Sequence, residues 1–279
     1  MPEFMHDLEQ NIQDSVAAIR NVVSRNPKVG IVLGSGLGDF GDTLNDRVAI
    51  NTSDITHYPI SSVPGHAGRL VFGTLFADGK KSQELLAFQG RIHFYECNNI
   101  EKVIYPIQIA AALGIEILIL TNAAGGINKA FRPGDLMLIR DFVNLTMENP
   151  LRGIAASRSA SAQEGLDPNL LTLARRIAVE NGIPIQEGVY CWTKGPSYES
   201  AAEIRMMSGA GADAVGMSTM PEVMVAAQHN IKVLGISCIT NLATGLSTSK
   251  LDHREVTDVA NRVKANFTAL LSKIILALP

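Results

Sequence analysis

A chain of 279 residues with 46% hydrophobic content can bury a large core, and no Pro/Gly/Ser linker or composition shift divides it, so a single domain over 1–279 is expected. Its 24 basic and 27 acidic residues give a net charge of −3 with no long run of one sign, which excludes a nucleic-acid groove or an anionic-membrane patch, since both need clustered Lys and Arg. Cys97, Cys191 and Cys238 are too few and too far apart for a disulfide framework or a zinc site; the acidic N-terminus is no signal peptide and no apolar run spans a membrane, so a soluble cytoplasmic protein is expected.

In chain order, residues 5–25 are predicted as an amphipathic helix with Ile12, Val16, Ile19, Val22 and Val23 along one side. Val29–Leu33 reads as a buried strand, followed by a turn with glycines at 34, 36 and 38. Leu70–Phe76 and Glu84–Phe88 are further strands. A helix over Glu101–Leu113 leads to a strand over Glu116–Leu120 and a loop, TNAAGG. Leu136–Ile139 reads as a strand, and 151–163, rich in Ala, Ser and Gly, as a loop. A helix over Pro168–Asn181 precedes a strand over Gly188–Trp192. Ser200–Gly209 is predicted helical, opened by the capping-box spacing Ser200…Glu203. A short strand, Asp213–Gly216, precedes a helix over Met220–His229 with Thr219 and Glu222 in the same spacing. Ile231–Cys238 is a strand, and a helix from about His253 to Leu276 closes the chain.

Alternating strands and helices, with several strands continuously apolar, predict an α/β fold with a central mixed, largely parallel sheet flanked by helices. Ligands in such sheets sit beyond the carboxyl ends of strands. Ser35, Asn122 and Asn241 each directly follow a predicted strand, so three loops are placed to converge.

The motifs narrow the chemistry. GSGLGDF spaces its glycines G-x-G-x-G, and no acidic residue clearly ends a second strand about 20 residues on, which argues against a nicotinamide oxidoreductase. A tight turn fits, and so does a loop that brings backbone N–H groups and the Ser35 hydroxyl to an anion. PGHAG puts His66 in a Gly-flanked turn, where it is either an exposed loop histidine or a close ligand contact. In QGRIHFYE, Gly90 ends a strand and Arg91, His93 and Tyr95 alternate onto one side. That face is either a solvated strand end or an anion site, for which the planar fork of Arg suits phosphate oxygens. TNAAGG leaves backbone bare at Ala123, Ala124, Gly125 and Gly126, as a plain turn or as a nest for an anion. GPSYES sets Tyr198 and Glu199 before a helix, where the helix dipole alone would favour the carboxylate. Asn241, in ITNLATG, can both donate and accept. From the residues alone, this is an enzyme of small metabolites that uses phosphate.

Taken together and in this order, GSGLG, PGHAG, QGRIHFYE, TNAAGG, PGDLMLIRDFVNL, NPLRG, GPSYES, ADAVGMSTMPEV and ITNLATG resemble the trimeric purine nucleoside phosphorylases. The resemblance runs from about Val29 to His253. It implies that Ser35, His66, Arg91, His93, Ala123 (through its N–H) and Ser218 hold phosphate. It places Tyr95, Met217 and His253 at the ribose, and Ala124, Gly125, Tyr198, Glu199, Val215 and Asn241 around the base. Asn241, His93 and Glu199 are the implied catalytic set. The implied reaction is phosphorolysis of inosine, guanosine and their deoxy forms in a homotrimer, with inorganic phosphate as co-substrate and no cofactor or metal. Methylthioadenosine phosphorylases resemble the same fold but carry Asp where Asn241 stands. A non-catalytic purine-binding protein on the scaffold would keep Glu199 and Asn241 and lose the phosphate set. One departure stands out: after NPLRG, relatives carry an aromatic that reaches a neighbouring subunit's ribose site, whereas no Phe, Trp or Tyr occurs between Phe142 and Tyr190 here. A more open sugar site is expected.

Overall fold

The computed structural model describes residues 3–34, 36–63, 65–152, 162–246 and 253–279. Helix α1 (Glu3–Val22) leads into β1 (Val29–Leu33), and a 3-10 turn over Gly38–Thr43 separates that strand from β2 (Asn45–Asn51). Next come β3 (Arg69–Thr74), a small hairpin of β4 (Phe76–Ala77) and β5 (Lys80–Lys81), and β6 (Leu85–Gln89). One helical turn, α2 (Phe94–Cys97), precedes α3 (Ile100–Ala112), β7 (Ile117–Gly126) and β8 (Leu136–Asn144). The second half runs α4 (Ala162–Gly165), α5 (Pro168–Glu180), β9 (Gln186–Trp192), α6 (Ala201–Gly209), β10 (Ala214–Gly216), α7 (Met220–Gln228), β11 (Lys232–Leu242) and α8 (His253–Ala277).

The main sheet has nine strands in the order β2-β3-β6-β1-β7-β11-β8-β9-β10, and β10 also pairs with β7, so its last five strands close on themselves. β1 lies parallel to both β6 and β7, and β11 parallel to β7. β3 meets β6 and β8 meets β11 antiparallel, which makes the sheet mixed. Helices cover both faces. Ile19 of α1, Val103 and Ile107 of α3 and Val223 of α7 pack with Val32, Leu118 and Leu120 on one side. Leu170 and Ile177 of α5 and Phe267, Leu270 and Ile274 of α8 pack with Ile31, Ile119 and Leu234 on the other. Neighbouring residues Ile31 and Val32 thus each meet a helical layer, which is why β1 reads as a continuous apolar run. Among the described residues no helix is long and apolar enough to cross a membrane.

The helix starts follow local chemistry. Asn99 accepts from the N–H groups of Glu101 and Lys102 to open α3, and Asp167 accepts from Asn169 and Leu170 to open α5. The capping boxes expected at Ser200–Glu203 and Thr219–Glu222 are both formed.

Several expectations are corrected. β2 has no counterpart in the sequence reading: NDRVAIN is polar, only Ile50 is buried, and the strand is an edge that pairs with β3 alone. TNAAGG is not a loop. It is the end of β7, held by β11 along its length and by β10 at Gly125 and Gly126. Asn122 and Asn241 therefore lie inside strands rather than after them, because tertiary pairing extends β7 and β11 through residues of poor strand propensity. β8 likewise continues five residues past Ile139, to Asn144. Of the predicted loop 151–163, residues 153–161 lie outside the described residues, and the chain is already helical at Ala162.

Candidate active site

A cavity of about 350 Å³ opens where the carboxyl ends of β1, β6, β7 and β11 meet the ends of β9 and β10. Of the residues singled out in the sequence, His66, Arg91, His93, Tyr95, Ala123, Ala124, Gly125, Tyr198, Glu199, Val215, Met217, Ser218 and Asn241 all line it. Ser35 lies outside the described residues, although its neighbour Gly34 is in the wall. His253 begins α8, but its side chain lies outside the described residues. Residues 153–161, directly after NPLR in the stretch without an aromatic, also lie outside them.

Local structure explains the convergence. Gly34 N–H donates to Thr121 Oγ1 at 2.9 Å, and that hydroxyl donates to the Val32 carbonyl at 2.9 Å, so the end of β1 is stitched to β7. A Cβ at Gly34 would lie 2.5 Å from the Thr121 carbonyl oxygen, so only glycine allows the approach. Gly90, at φ +122°, turns the chain out of β6, and a Cβ there would lie 2.8 Å from His66 Cβ. β6 stops at Gln89, before Gly90 as expected, but the alternation does not run through Tyr95: α2 begins at Phe94, and the turn and that first helical turn together deliver Arg91, His93 and Tyr95 to the cavity. The rings of His66 and His93 stack 5.4 Å apart, and those of His93 and Tyr95 5.0 Å apart.

Arg91 is 4% exposed and faces Glu222, also 4% exposed. Its Nη2 lies 3.2 Å from Glu222 Oε2, and Nε donates to Oε1 at 3.4 Å. Nη1 donates to the Thr121 carbonyl at 2.7 Å and to Ser218 Oγ at 3.3 Å. Nη2 meets Glu222 by charge alone, since it makes no hydrogen bond of good geometry among the described residues. His66 Nε2 is in the same condition. Buried nitrogens without a hydrogen bond are costly, and these two lie on the same wall. Beside them, Asn122 Nδ2 donates to Thr219 Oγ1 at 2.8 Å, and the Thr219 N–H donates to Glu222 Oε2 at 3.1 Å. Thr219 holds φ +75°, a strained value for a β-branched residue.

Electrostatics sort the histidines. Burial, helped by nearby His93 and Arg91, lowers His66 to about 4, so its imidazole is neutral at pH 7. Burial works to raise the Glu96 carboxyl, but hydrogen bonds from His93 and Ser62 outweigh it and hold the group down at about 2. Glu96 is thus a carboxylate that only accepts, and His93 Nδ1, 3.0 Å from Oε1, must carry the proton. Tyr95 stays a phenol, pushed up to about 12 by burial and by the charge of Glu96.

Across the cavity, a register shift between Ile239 and Asn241 bulges β11 at Thr240. Thr240 Oγ1 donates to Asn241 Oδ1 at 2.9 Å, and Asn241 Nδ2 donates to the Leu242 carbonyl at 3.1 Å. One lone pair and one N–H of the amide remain for a ligand. Glu199 is not spent on capping α6, because Ser200 and Glu203 do that between themselves. Its Oε1 accepts from Thr193 Oγ1 at 2.8 Å. Asn122, one of the three residues placed to converge, is in the wall; the sequence reading missed Gly34, Pro196, Gly216, Thr240 and Ala243 there, and Glu222 behind Arg91. Only Glu222 had a signal, a lone carboxylate on the otherwise apolar helix MPEVMVAA.

The comparisons with known proteins agree with this geometry. Residues 28–276 match the model of the Phosphorylase superfamily. Purine nucleoside phosphorylase 1 of Bacillus subtilis is 45% identical over 96% of this chain and 98% of its own length. Purine nucleoside phosphorylase of Bos taurus is 37% identical over 97% and 96%. The crystal structure of a Schistosoma purine nucleoside phosphorylase in complex with hypoxanthine superposes with a TM-score of 0.89 at 34% identity, covering 97% of this chain and 98% of that one. The chain belongs to the Phosphorylase superfamily and, within it, to the purine nucleoside phosphorylases.

Proposed function

We propose that the enzyme acts on 6-oxopurine nucleosides, inosine and guanosine with their deoxy forms, and releases the free base and (deoxy)ribose 1-phosphate. The observation that carries this reading is the pairing, in one cavity, of the Glu199 carboxylate with an Asn241 amide that keeps one donor and one acceptor free. A 6-oxopurine offers N1–H to Glu199, whereas adenine turns a bare acceptor toward it. Mismatches of this kind cost roughly 10⁴-fold or more in discrimination. The Schistosoma mansoni enzyme has been solved with inosine and also with adenosine, so base choice has to be measured in this chain.

The reaction follows from the two walls. Phosphate, as co-substrate, is held by Arg91, Ser218, His66, His93 and the Ala123 N–H, with Ser35 beside them. Tyr95, Met217 and His253 take the sugar, and Ala124, Gly125, Tyr198 and Val215 enclose the purine. A phosphate oxygen adds to C1′ as the C1′–N9 bond breaks, and the bonding pair passes into the purine. Asn241 stabilises that charge by donating to O6 and accepting from N7–H as N7 takes up a proton. No cofactor enters the scheme. The exposed Met147 (81%) and Ile60 (65%) support burial of surface in an oligomer, for which we propose a homotrimer, checked by sedimentation.

The test couples hypoxanthine release from inosine to uric acid formation, with and without phosphate, beside adenosine. Phosphate-dependent release with inosine strongly preferred is the expected result. Equal rates on adenosine would remove the 6-oxopurine assignment, and release indifferent to phosphate would make the enzyme a hydrolase.

A further inference from the structure

We propose that Thr193, which does not line the cavity, is a positioning residue that sets base selectivity by fixing the Glu199 carboxylate. The inference rests on the base-binding reading of Glu199 given above and adds a determinant to it. Thr193 follows β9, and its N–H donates to the Gly216 carbonyl at the end of β10 at 2.9 Å. Its backbone is therefore part of the sheet edge rather than of the turn that follows. The side chain then reaches six residues ahead. Oγ1 lies 2.8 Å from Glu199 Oε1 and 3.4 Å from the Gly216 carbonyl oxygen. A hydroxyl has one proton to give, and the shorter contact, to a charged acceptor, takes it.

The consequence is geometric. Lys194 to Tyr198 form the connection between the two partners, and Lys194 anchors it sideways by donating to Glu148 at 2.7 Å. Glu199 itself is half-buried at the cavity wall and free of capping duty, because the Ser200–Glu203 box satisfies the start of α6. Without Thr193, a three-bond side chain would be free to rotate its carboxylate away from the base. With Oε1 tied to the sheet edge, Oε2 is the oxygen left for a ring N–H, and its direction is set before the substrate arrives. Selectivity against a purine without N1–H then depends on a residue that never touches it.

The test is a double-substitution cycle on the full-length enzyme: wild type, Thr193→Val, Glu199→Ala and the pair. The readouts are kcat/KM for inosine and adenosine, inhibition constants for hypoxanthine and adenine, and KM for phosphate. Thr193→Val should lower kcat/KM for inosine roughly 10- to 100-fold, the worth of one hydrogen bond to a charged group. It should change adenosine and phosphate little, so that the inosine-to-adenosine ratio falls. Thr193→Ser, which keeps the hydroxyl, should restore the ratio, and Thr193→Ala should not. In the Glu199→Ala background, Thr193→Val should have no further effect. Equal losses on both nucleosides, or additive losses in the pair, would overturn the role of Thr193 while leaving Glu199 in place. If Glu199→Ala alone left the ratio unmoved, the base reading itself would fail. Should valine crowd the site and prevent folding, the serine and alanine variants isolate the hydroxyl without it.

Discussion

Removing Glu222 should uncover a buried positive charge. In Glu222→Ala, Arg91 keeps its hydrogen bonds to the Thr121 carbonyl and Ser218 but loses the carboxylate 3.2 Å from Nη2. The Thr219 N–H loses its 3.1 Å acceptor as well. Both members of the pair are 4% exposed, so water cannot replace the missing charge. Breaking one side of such a pair costs about 3–5 kcal/mol. At about 2 °C per kcal/mol for a chain of this size, Tm in phosphate-free buffer should fall by roughly 6–10 °C. The uncovered guanidinium lines the cavity where phosphate is proposed to bind, so added phosphate should raise Tm more in the variant than in the wild type. Glu222→Gln keeps an acceptor for Thr219 and separates the loss of charge from the loss of the cap. Replacing both Arg91 and Glu222 by Met leaves no lone charge and should cost less than Glu222→Ala. The assay is thermal unfolding across a phosphate series at constant ionic strength. A fall of less than about 2 °C, or parallel phosphate responses in variant and wild type, would refute the reasoning.

Arg91→Ala should raise KM for phosphate at least about tenfold, the worth of one charge-assisted contact, and raise that of inosine less; equal losses in steady-state kinetics would contradict its place at the anion. Asn241→Asp adds an acceptor and removes the donor to O6, so the inosine-to-adenosine ratio of kcat/KM should fall by at least roughly tenfold. His66, ordinarily 6.5, sits at about 4 in the folded protein. The unfolded chain therefore binds the extra proton first, and stability should be full above pH 6.5 and decline as pH falls toward 4. His66→Gln should flatten that part of a denaturation-midpoint profile, and an unchanged slope would show that His66 stays charged when folded.

Elements that bury both faces, or that carry their own caps, were legible in the sequence. β1 and β6 are buried along their length and apolar except for Gln89, and the boxes at Ser200 and Thr219 mark the starts of α6 and α7. Legibility ended where long-range pairing overrides local preference. Ala123 to Gly126 have no strand propensity of their own and become strand only because β11 and β10 lie beside them. Thr240 is bulged by a register shift that no local pattern encodes. The cavity residues found in advance were chemically conspicuous side chains, such as Arg91, His93 and Glu199, the bare backbone of Ala123 to Gly125, and positions such as Val215 that came from the family resemblance. Residues that act by holding them, namely Thr193, Thr240 and Glu96, look in sequence like any polar residue near the end of a strand or in a turn. Their roles exist only as distances to a partner elsewhere in the chain.

The wall proposed to hold phosphate is built of donors rather than of net charge. Arg91 is cancelled by Glu222, His66 is neutral, and His93 leans on a carboxylate at Glu96. An arginine without a counter-ion would hold phosphate and ribose 1-phosphate equally tightly. Uniform binding of that kind lowers KM without speeding the chemical step, and it slows release of a phosphorylated product. Glu222 removes the excess charge and at the same time fixes the guanidinium through Nε and Nη2, so its direction survives while its long-range pull is reduced. The strain at Thr219 fits the same logic, because its φ of +75° places the N–H on Glu222 and the hydroxyl beside Ser218 and Asn122 at once. On the proposed phosphate assignment, binding would depend on aligned N–H and O–H groups, whose strength falls off steeply with misplacement, and a phosphate that has become part of a sugar ester would be free to leave. The phosphate response of Glu222→Ala separates this account from one in which the carboxylate merely supports the fold.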